Sequence, residues 1–248
     1  MNYHSKMLKM PVELEVLAPQ RYNADKEKSR VLFLLHGAIG DRTSWLLRSQ
    51  AALYAAECDI CIVMPSVKNS FYVNTYNSYA YMDFICGELP QVIKTLIPVS
   101  ENKKDWMIAG CSMGGYGAVR CGMEKPDVFG RIASFSGALD MVSVYDKVTF
   151  ADMGMVFGSR EELRGSDNDL YGLLSKKKQE AADVPILITC GEEDELFPYN
   201  EAFYKRFEAD YNMEFLHKKG GHDWYFWNDS LRAALAWFYG ETDYREVF

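Results

Sequence analysis

The chain contains a serine between glycines, Gly110–Gly114 (GCSMG), where the local pattern changes from strand to helix. The run 105–109 before it is short, apolar and compatible with a strand, and Gly115–Met123 has the small side chains of a closely packed helix. At such a sharp turn the serine takes a strained backbone conformation, and larger flanking side chains would collide with the neighbouring strand and helix. Ser112 is therefore predicted to expose its hydroxyl at the carboxyl edge of a sheet, as a candidate nucleophile. The alternative is a serine that only caps the following helix.

Acidic residues and a histidine follow this serine along the chain, so candidates for an acid and a base accompany the candidate nucleophile. The buried-strand pattern Val184–Cys190 leads into Gly191 and the acidic run 192–195 (EEDE), at the edge of an open α/β sheet where catalytic groups gather. A further strand-like run, Met213–His217, precedes His222 in a glycine-rich loop.

Both of these roles have competitors in the sequence. His4, His36 and His217 compete with His222 for the role of the base, and His217 stands at the end of a strand-like run. Any of the four acidic residues Glu192, Glu193, Asp194 and Glu195 could act as the acid.

Strand-like and helix-like runs alternate along the chain, which predicts an α/β protein with a mostly parallel sheet and helices on both faces. The predicted strands are Val12–Leu17, Val31–Leu35, Ile60–Met64, Trp106–Ala109, Ile132–Ser136, Ile186–Cys190 and Glu214–His217. The predicted helices are Ser44–Ala56, Tyr79–Ile97, Gly115–Met123, Asn200–Glu208 and Ser230–Tyr239.

Two segments depart from this alternation. Val12–Leu17 alternates apolar and acidic residues, which is typical of a solvent-facing antiparallel edge strand. Residues 137–182 form the only long irregular piece, which predicts a small cap-like insertion within a single domain spanning residues 1–248.

Four segments of the chain resemble the esterase D group of α/β-hydrolases. They are Leu34–Gly37, Gly110–Ala118, Cys190–Asp194 and Gly221–Trp227. This group includes S-formylglutathione hydrolases, tributyrin-type acetylesterases, some feruloyl and acetylxylan esterases, and mycolyltransferases. The resemblance covers nearly the whole chain and is strongest to the tributyrin-esterase branch. The sequence HGAIG at 36–40 differs from the Ser-Gly-Leu-Thr-Cys type of segment in the formylglutathione branch, which counts against that substrate.

The resemblance implies the α/β-hydrolase fold and a role for each site residue. Ser112 corresponds to the nucleophile, His222 to the base and Asp194 to the acid. The backbone N–H groups of Ala38 and Met113 correspond to the oxyanion hole. This chemistry requires no metal and no organic cofactor.

The resemblance also bears on the residues around these groups. It places His36 in the oxyanion loop, where we expect it to orient the turn by hydrogen bonds. Residues Trp224, Tyr225 and Trp227 are expected to anchor the core or a loop rather than to contact substrate.

Apolar residues of the predicted insertion are candidates for lining an acyl pocket. They are Met141, Phe150, Met153 and Phe157, with Met155 beside them. The alternative is that these side chains pack only on their own helices.

The composition favours one enzyme domain without polyanionic partners. A chain of 248 residues with 48% hydrophobic residues can bury a sizeable core. The net charge of −8 and the shortness of basic blocks such as Lys176–Lys178 argue against nucleic-acid binding.

The location of the protein is predicted from its apolar runs and its cysteines. No run of about 18 apolar residues predicts a membrane span, and Met1–Met10 lacks the apolar stretch of a signal peptide. Cys61, Cys111 and Cys190 lie in or beside predicted core strands, where free cysteine acts as a small apolar residue. Cys58 and Cys61 have no partner pair that would predict a zinc or redox site. A cytoplasmic protein is expected.

The predicted function is hydrolysis of short-chain acyl esters through an acyl-serine intermediate. The alternatives are a thioesterase of the S-formylglutathione type or an acyltransferase with the same residues, and an inactive hydrolase-fold protein that binds a ligand. The resemblance and a 14% aromatic content also predict a dimer or tetramer.

Overall fold

The computed structural model describes residues 1–18, 28–76 and 79–248. Eight strands form one sheet: β1 Asn2–Ser5, β2 Met10–Leu17, β3 Val31–Leu35, β4 Cys61–Pro65, β5 Trp106–Cys111, β6 Arg131–Phe135, β7 Ile186–Gly191 and β8 Met213–Lys218. Their order across the sheet is β1-β2-β4-β3-β5-β6-β7-β8. The pairs β1–β2 and β2–β4 are antiparallel, and the other pairs are parallel.

The helices connect these strands. They are α1 Ser44–Arg48, α2 Ala51–Cys58, α3 Tyr81–Asp83, α4 Leu89–Leu96, α5 Met113–Glu124, α6 Met141–Val144, α7 Met153–Phe157, α8 Arg160–Leu163, α9 Leu170–Ala181, α10 Phe197–Phe207 and α11 Trp224–Tyr239. A π-helical turn, Phe84–Glu88, lies between α3 and α4. Short 3₁₀ helices occupy Lys103–Asp105, Tyr145–Lys147 and Asp243–Val247. Of the helices in the described ranges, none combines the length and the apolar character needed to cross a membrane.

The sheet separates two hydrophobic clusters, which explains the continuous apolar strands. In β3, Val31, Phe33 and Leu35 belong to one cluster, and Leu32 and Leu34 belong to the other. Helices α4, α5 and α9 contribute to the first cluster, and α2 and α11 contribute to the second. Because a strand directs successive side chains to opposite faces, a strand covered on both faces must be apolar throughout.

All seven predicted strands are present, and β1 is an additional strand that the sequence analysis missed. Its four residues, Asn2–Ser5, are mostly polar and lack an alternating pattern. The prediction that Val12–Leu17 is antiparallel is confirmed. Its placement at the edge is wrong, because β1 pairs with its outer side and forms the edge instead.

Two predicted helices are interrupted in the structure. The predicted helix Ser44–Ala56 breaks at Ser49, whose backbone is extended and whose hydroxyl donates to the carbonyl of Trp45 at 2.6 Å. The predicted helix Tyr79–Ile97 begins at Tyr81 and contains the π-helical turn.

Residues 137–182 are more regular than predicted. They contain α6, α7, α8 and the twelve-residue helix α9. Asp169 caps α9 by accepting from the N–H of Tyr171 at 3.1 Å. The assignment of this segment as a cap stays a prediction.

Candidate active site

Ser112 lies at a sharp turn between β5 and α5, with φ 54° and ψ −116°. This is a backbone region that residues other than glycine rarely adopt. A Cβ at Gly114 would lie 2.5 Å from the carbonyl oxygen of Leu35, and a Cβ at Gly110 would lie 2.7 Å from the backbone of Gly114. The glycines on both sides therefore allow the close approach of strand and helix that exposes Ser112.

The structure brings Ser112, His222 and Asp194 into one chain of hydrogen bonds. His222 Nε2 lies 2.9 Å from Ser112 Oγ, and His222 Nδ1 lies 2.8 Å from Asp194 Oδ2. Asp194 follows β7 and His222 follows β8, so loops at the carboxyl ends of neighbouring strands supply both groups. Because an ionised carboxylate only accepts hydrogen bonds, Nδ1 carries the proton and Nε2 is free to accept from the serine hydroxyl.

The carboxyl group of Asp194 is fully buried and stays ionised. Its side chain has 0% exposure, and its Oδ1 accepts from the N–H of Leu196 at 2.8 Å. Burial acts to raise the pKa of Asp194, but the hydrogen bond and the charge of His222, together with the N–H of Leu196, outweigh it and lower the pKa.

The competing acidic residues and histidines are placed elsewhere. His217 Nδ1 pairs with Glu192 Oε1 at 2.9 Å on the exposed surface. Glu193 lies 3.6 Å from Lys219 Nζ. His4 lies in the edge strand β1. Glu195 lines the cavity described below but has no hydrogen bond to His222.

His36 orients the turn after β3, as expected from the sequence. Its Nδ1 lies 2.7 Å from the carbonyl of Gly37, and its Nε2 accepts from the N–H of Val67 at 3.2 Å. Burial lowers the pKa of His36 and so favours the neutral ring. A neutral His36 with its proton on Nδ1 satisfies both contacts, and it fixes the start of the 36–40 loop.

The N–H groups of Ala38 and Met113 are the candidates for the oxyanion hole. Both residues line the same cavity as Ser112 and His222. Met113 is the first residue of α5, where an N–H has no acceptor within the helix. Among the described residues, neither N–H donates to another protein group.

The cavity has a volume of about 630 Å³ and opens above Ser112. One part of its wall comes from the loop after β3, α1 and α11, and the other from residues 138–150 and the start of α10. The apolar lining residues are Ala38, Ile39, Phe71, Met113, Ala138, Val144, Val148, Phe150, Leu196, Trp224 and Trp227.

Of the four residues predicted to line an acyl pocket, the structure places only Phe150 in the wall. Met141, Met153 and Phe157 are buried in the core, with exposures of 1%, 6% and 5%. Phe157 packs against Phe71 and Tyr116, with ring centroids 5.4 and 5.9 Å away, and so supports the wall from behind. These three side chains therefore do not line the cavity, and Phe157 does not pack only on its own helix, as the alternative had it, but on Phe71 and Tyr116.

Several lining residues were missed, because residues that are far apart in the sequence form this wall together. Trp224 and Trp227, expected as anchors, line the cavity, and the Trp227 ring contacts His222 edge-on at 5.0 Å. Ile39 and the polar pair Lys147 and Tyr199 had no signal in the sequence. Among the described residues there is no group of three or more side chains suited to hold a metal ion.

The chain is similar to known esterases over nearly its whole length. Residues 5–238 match the protein-family model described as "Putative esterase". The chain belongs to this esterase family. An acetyl esterase of Caldicellulosiruptor saccharolyticus is 29% identical over 98% of both chains.

Solved structures of hydrolases share the fold. The substrate-bound fluorophosphonate-binding serine hydrolase F of Staphylococcus aureus has a TM-score of 0.89 and 28% identity over 96% of both chains. An S-formylglutathione hydrolase of the same organism has a TM-score of 0.87 and 28% identity, again over 96% of both chains. The protein is an ester hydrolase with the α/β-hydrolase fold.

Proposed function

We propose that this esterase hydrolyses small acyl esters with Ser112 as nucleophile, His222 as general base and Asp194 as the acid that orients the imidazole. The observation that carries the proposal is the chain of two hydrogen bonds, 2.9 and 2.8 Å long, from Ser112 through His222 to Asp194. Nucleophile, base and orienting group are each within hydrogen-bonding reach of the next, as acyl transfer requires.

Each group has one task in the proposed mechanism. His222 Nε2 takes the proton of Ser112 as its oxygen attacks the ester carbonyl, and then delivers that proton to the leaving alcohol. The buried carboxylate of Asp194 stabilises the imidazolium that forms between these steps. Water then attacks the acyl-serine, His222 takes a proton from that water, and Ser112 is released.

The proposed oxyanion hole consists of the N–H groups of Ala38 and Met113. Neither N–H donates to another described protein group, and both line the cavity beside Ser112. Each donor of this kind contributes roughly 3 kcal/mol of transition-state stabilisation.

A preference for small acyl and alcohol groups is the substrate class that we propose. A cavity of about 630 Å³ with an apolar wall suits an ester of modest size, and a similar enzyme from Caldicellulosiruptor saccharolyticus is an acetyl esterase. We expect kcat/KM on p-nitrophenyl esters to be highest for acyl chains of roughly two to six carbons, in keeping with the usual size of such sites. A higher kcat/KM on decanoate than on acetate or butyrate would contradict this preference.

A thioester is the second candidate substrate, because one of the similar structures is an S-formylglutathione hydrolase. Comparing kcat/KM for S-formylglutathione and a matched oxygen ester decides between the two. The proposal predicts that the oxygen ester is the better substrate.

We also propose a cytoplasmic location and assembly into a dimer or tetramer. The six unpaired cysteines support the cytoplasmic location.

The nucleophile is tested by Ser112→Ala. We expect this variant to retain no more than about a thousandth of the wild-type kcat, because the covalent route is lost while the N–H donors remain. A fluorophosphonate probe should add one adduct to the wild-type protein and none to the variant, as read by mass spectrometry. Ser175→Ala is the matched control, since Ser175 is an exposed helix serine that donates only to the carbonyl of Tyr171. Full activity of a folded Ser112→Ala protein would refute the proposed function.

A further inference from the structure

Asn69 connects the loop that carries Ala38 with the segment that carries Phe150. Its Oδ1 accepts from the N–H of Ile39 at 2.8 Å, and its Nδ2 donates to the carbonyl of Phe150 at 3.0 Å. An amide has one acceptor end and one donor end, so the two partners fix its orientation. Ala38, Ile39 and Phe150 all line the cavity above Ser112.

The 36–40 loop needs such an external contact because its own residues do not favour its conformation. Ile39 has a φ of 61°, in the left-handed region that β-branched residues avoid. Its side chain is 81% exposed, so burial of that side chain does not hold the residue in place. The hydrogen bond from Gly40 N–H to the carbonyl of Gly37 closes the turn at 3.2 Å, and Asn69 holds the N–H that directly follows Ala38.

The segment that contains Asn69 contacts the 36–40 loop and the residues just after it through further hydrogen bonds. The N–H of Val67 donates to His36 Nε2, and Ser66 Oγ accepts from the N–H of Arg42 at 3.0 Å. Asn69 adds a contact with the carbonyl of Phe150, which lies 81 residues later in the chain.

On the far side, Asn69 holds a residue that lacks regular secondary structure. Phe150 lies between the 3₁₀ helix Tyr145–Lys147 and α7, and its side chain is 40% exposed. Its ring stacks on Phe71 with centroids 6.2 Å apart and planes 17° apart. The carbonyl contact with Asn69 and this ring contact together place Phe150 in the cavity wall.

We propose that Asn69 is a positioning residue that sets the distance between the oxyanion donor Ala38 and the cavity wall at Phe150. It acts through Ile39 on one side and through the Phe150 carbonyl on the other, and it touches neither the reacting atoms nor the chain Ser112–His222–Asp194. This role rests on the proposed function, since it gives the N–H of Ala38 a task in catalysis. The two ends of the amide affect different kinetic properties: the Ile39 end affects kcat, and the Phe150 end affects the choice among esters.

Two substitutions separate the ends of the amide. Asn69→Ala removes both hydrogen bonds. Asn69→Asp keeps an oxygen that accepts from the Ile39 N–H but sets a second oxygen against the carbonyl of Phe150, where the two acceptors repel each other. Asn102→Ala is the matched control, because Asn102 Oδ1 also accepts from a backbone N–H, that of Lys104 at 3.1 Å. Asn102 precedes β5, at the end of that strand away from Ser112.

The experiment measures kcat and KM for two series of p-nitrophenyl and alkyl esters, one lengthened in the acyl group and one in the alcohol group. We expect Asn69→Ala to lower kcat for p-nitrophenyl acetate about tenfold, about 1.4 kcal/mol, and Asn69→Asp to lower it less than threefold. In both variants the ratio of kcat/KM between the longest and shortest ester should change at least threefold in one series. Asn102→Ala should leave kcat and both profiles as in the wild type, and thermal melting should show that all variants are folded.

Two results would overturn the inference while leaving the proposed function intact. In one, folded Asn69→Ala keeps the wild-type kcat and both ester profiles. In the other, Asn69→Asp loses as much kcat as Asn69→Ala, so that the bond to Ile39 does not matter. Failure of the proposed function has a different signature, since the wild-type protein itself would then be inactive on every ester and would not react with the fluorophosphonate probe.

Discussion

Residues with a positive φ other than glycine concentrate in the loops around the cavity. Of the eight in the described part of the chain, six follow the carboxyl ends of β3, β4, β5 and β6: Ile39, Lys68, Phe71, Tyr72, Ser112 and Ser136. Strained positions of this kind cost about 1–3 kcal/mol each and persist only where surrounding contacts hold them. Here those contacts include the Tyr72 hydroxyl, which donates to the carbonyl of His36 at 2.9 Å. The strain thus lies where the site needs fixed backbone N–H groups and an exposed serine.

At the same scale, the role of Asp194 is tested by Asp194→Asn. The amide keeps the size of the side chain but removes the charge and offers a donor that can turn the imidazole into the wrong tautomer. We expect kcat/KM to fall by roughly a hundredfold or more, yet by less than in Ser112→Ala. Steady-state kinetics on p-nitrophenyl acetate give the measurement.

Glu193→Gln is the control for this substitution. The Glu193 side chain is largely exposed and lies 3.6 Å from Lys219 Nζ, away from His222. This variant should keep most of the activity. If Asp194→Asn had near-normal activity and Glu193→Gln were inactive, the assignment of Asp194 as the acid would be wrong.

At the scale of elements, Glu88 joins the π-helical turn to β1 and to the turn between β1 and β2. Its carboxylate accepts four hydrogen bonds, from Tyr3 Oη at 2.8 Å, Ser5 Oγ at 2.5 Å, the N–H of Lys6 at 2.7 Å and the N–H of Met7 at 3.1 Å. Burial acts to raise the pKa of Glu88, but these donors outweigh it and lower the pKa. The turn between β1 and β2 is therefore fixed by one side chain from the far part of the chain.

Glu88→Gln should destabilise the protein at neutral pH. One of the two carboxylate oxygens becomes an NH₂ group, which faces donors that then lack an acceptor, and the cost is about 1–3 kcal/mol in the free energy of unfolding. Because the pKa is lowered in the folded state, the contribution of the carboxylate is present above the unfolded pKa of about 4.3 and is lost as pH falls through the folded pKa. Urea unfolding should show a difference between the two proteins at pH 7 that shrinks below about pH 4.

Glu180→Gln is the control for the pH dependence. Glu180 pairs with Lys177 on the exposed side of α9, and such pairs contribute little to stability. A difference for Glu88→Gln that stays constant from pH 7 to pH 3 would contradict the assigned role of the carboxylate.

The elements also show how much of this fold and site could be predicted. Buried strands such as Val31–Leu35 were predicted to the residue, because a parallel strand covered on both faces has no polar position. The π-helical turn at Phe84–Glu88 was missed, and the contacts of Glu88 within it are to residues more than 80 positions earlier, which a local pattern does not show. Ser112 and His222 could be proposed from a motif and from loops after predicted strands, whereas Asp194 could be chosen among four adjacent acidic residues only through the family resemblance. Apart from Ala38, Met113 and Phe150, the residues of the cavity wall could not be predicted, since loops such as 36–40 and 66–69 meet only through tertiary hydrogen bonds.

At the scale of the whole molecule, most of the cysteines are part of the buried core. Five of the six are buried, and Cys58 is half-buried; all six lie in the described part of the chain and are unpaired. Burial raises the pKa of Cys61 to about 12 and also raises that of Cys111 and Cys190. Cys111 adjoins Ser112 but has 0% exposure, so its thiol belongs to the core beneath the site rather than to the cavity.

These positions predict slow thiol chemistry in the folded protein. The thiolate is the reactive form, and both burial and a raised pKa suppress it. With 5,5′-dithiobis(2-nitrobenzoate) at pH 8, we expect no more than one thiol, Cys58, to react within minutes, and all six to react in denaturant. Hydrolysis of p-nitrophenyl acetate should survive iodoacetamide treatment of the native enzyme, because the attacking group is a hydroxyl. Rapid alkylation of Cys111 with loss of activity would show instead that the sheet beneath the serine opens to solvent, and the rigid support that the strained loops require would be absent.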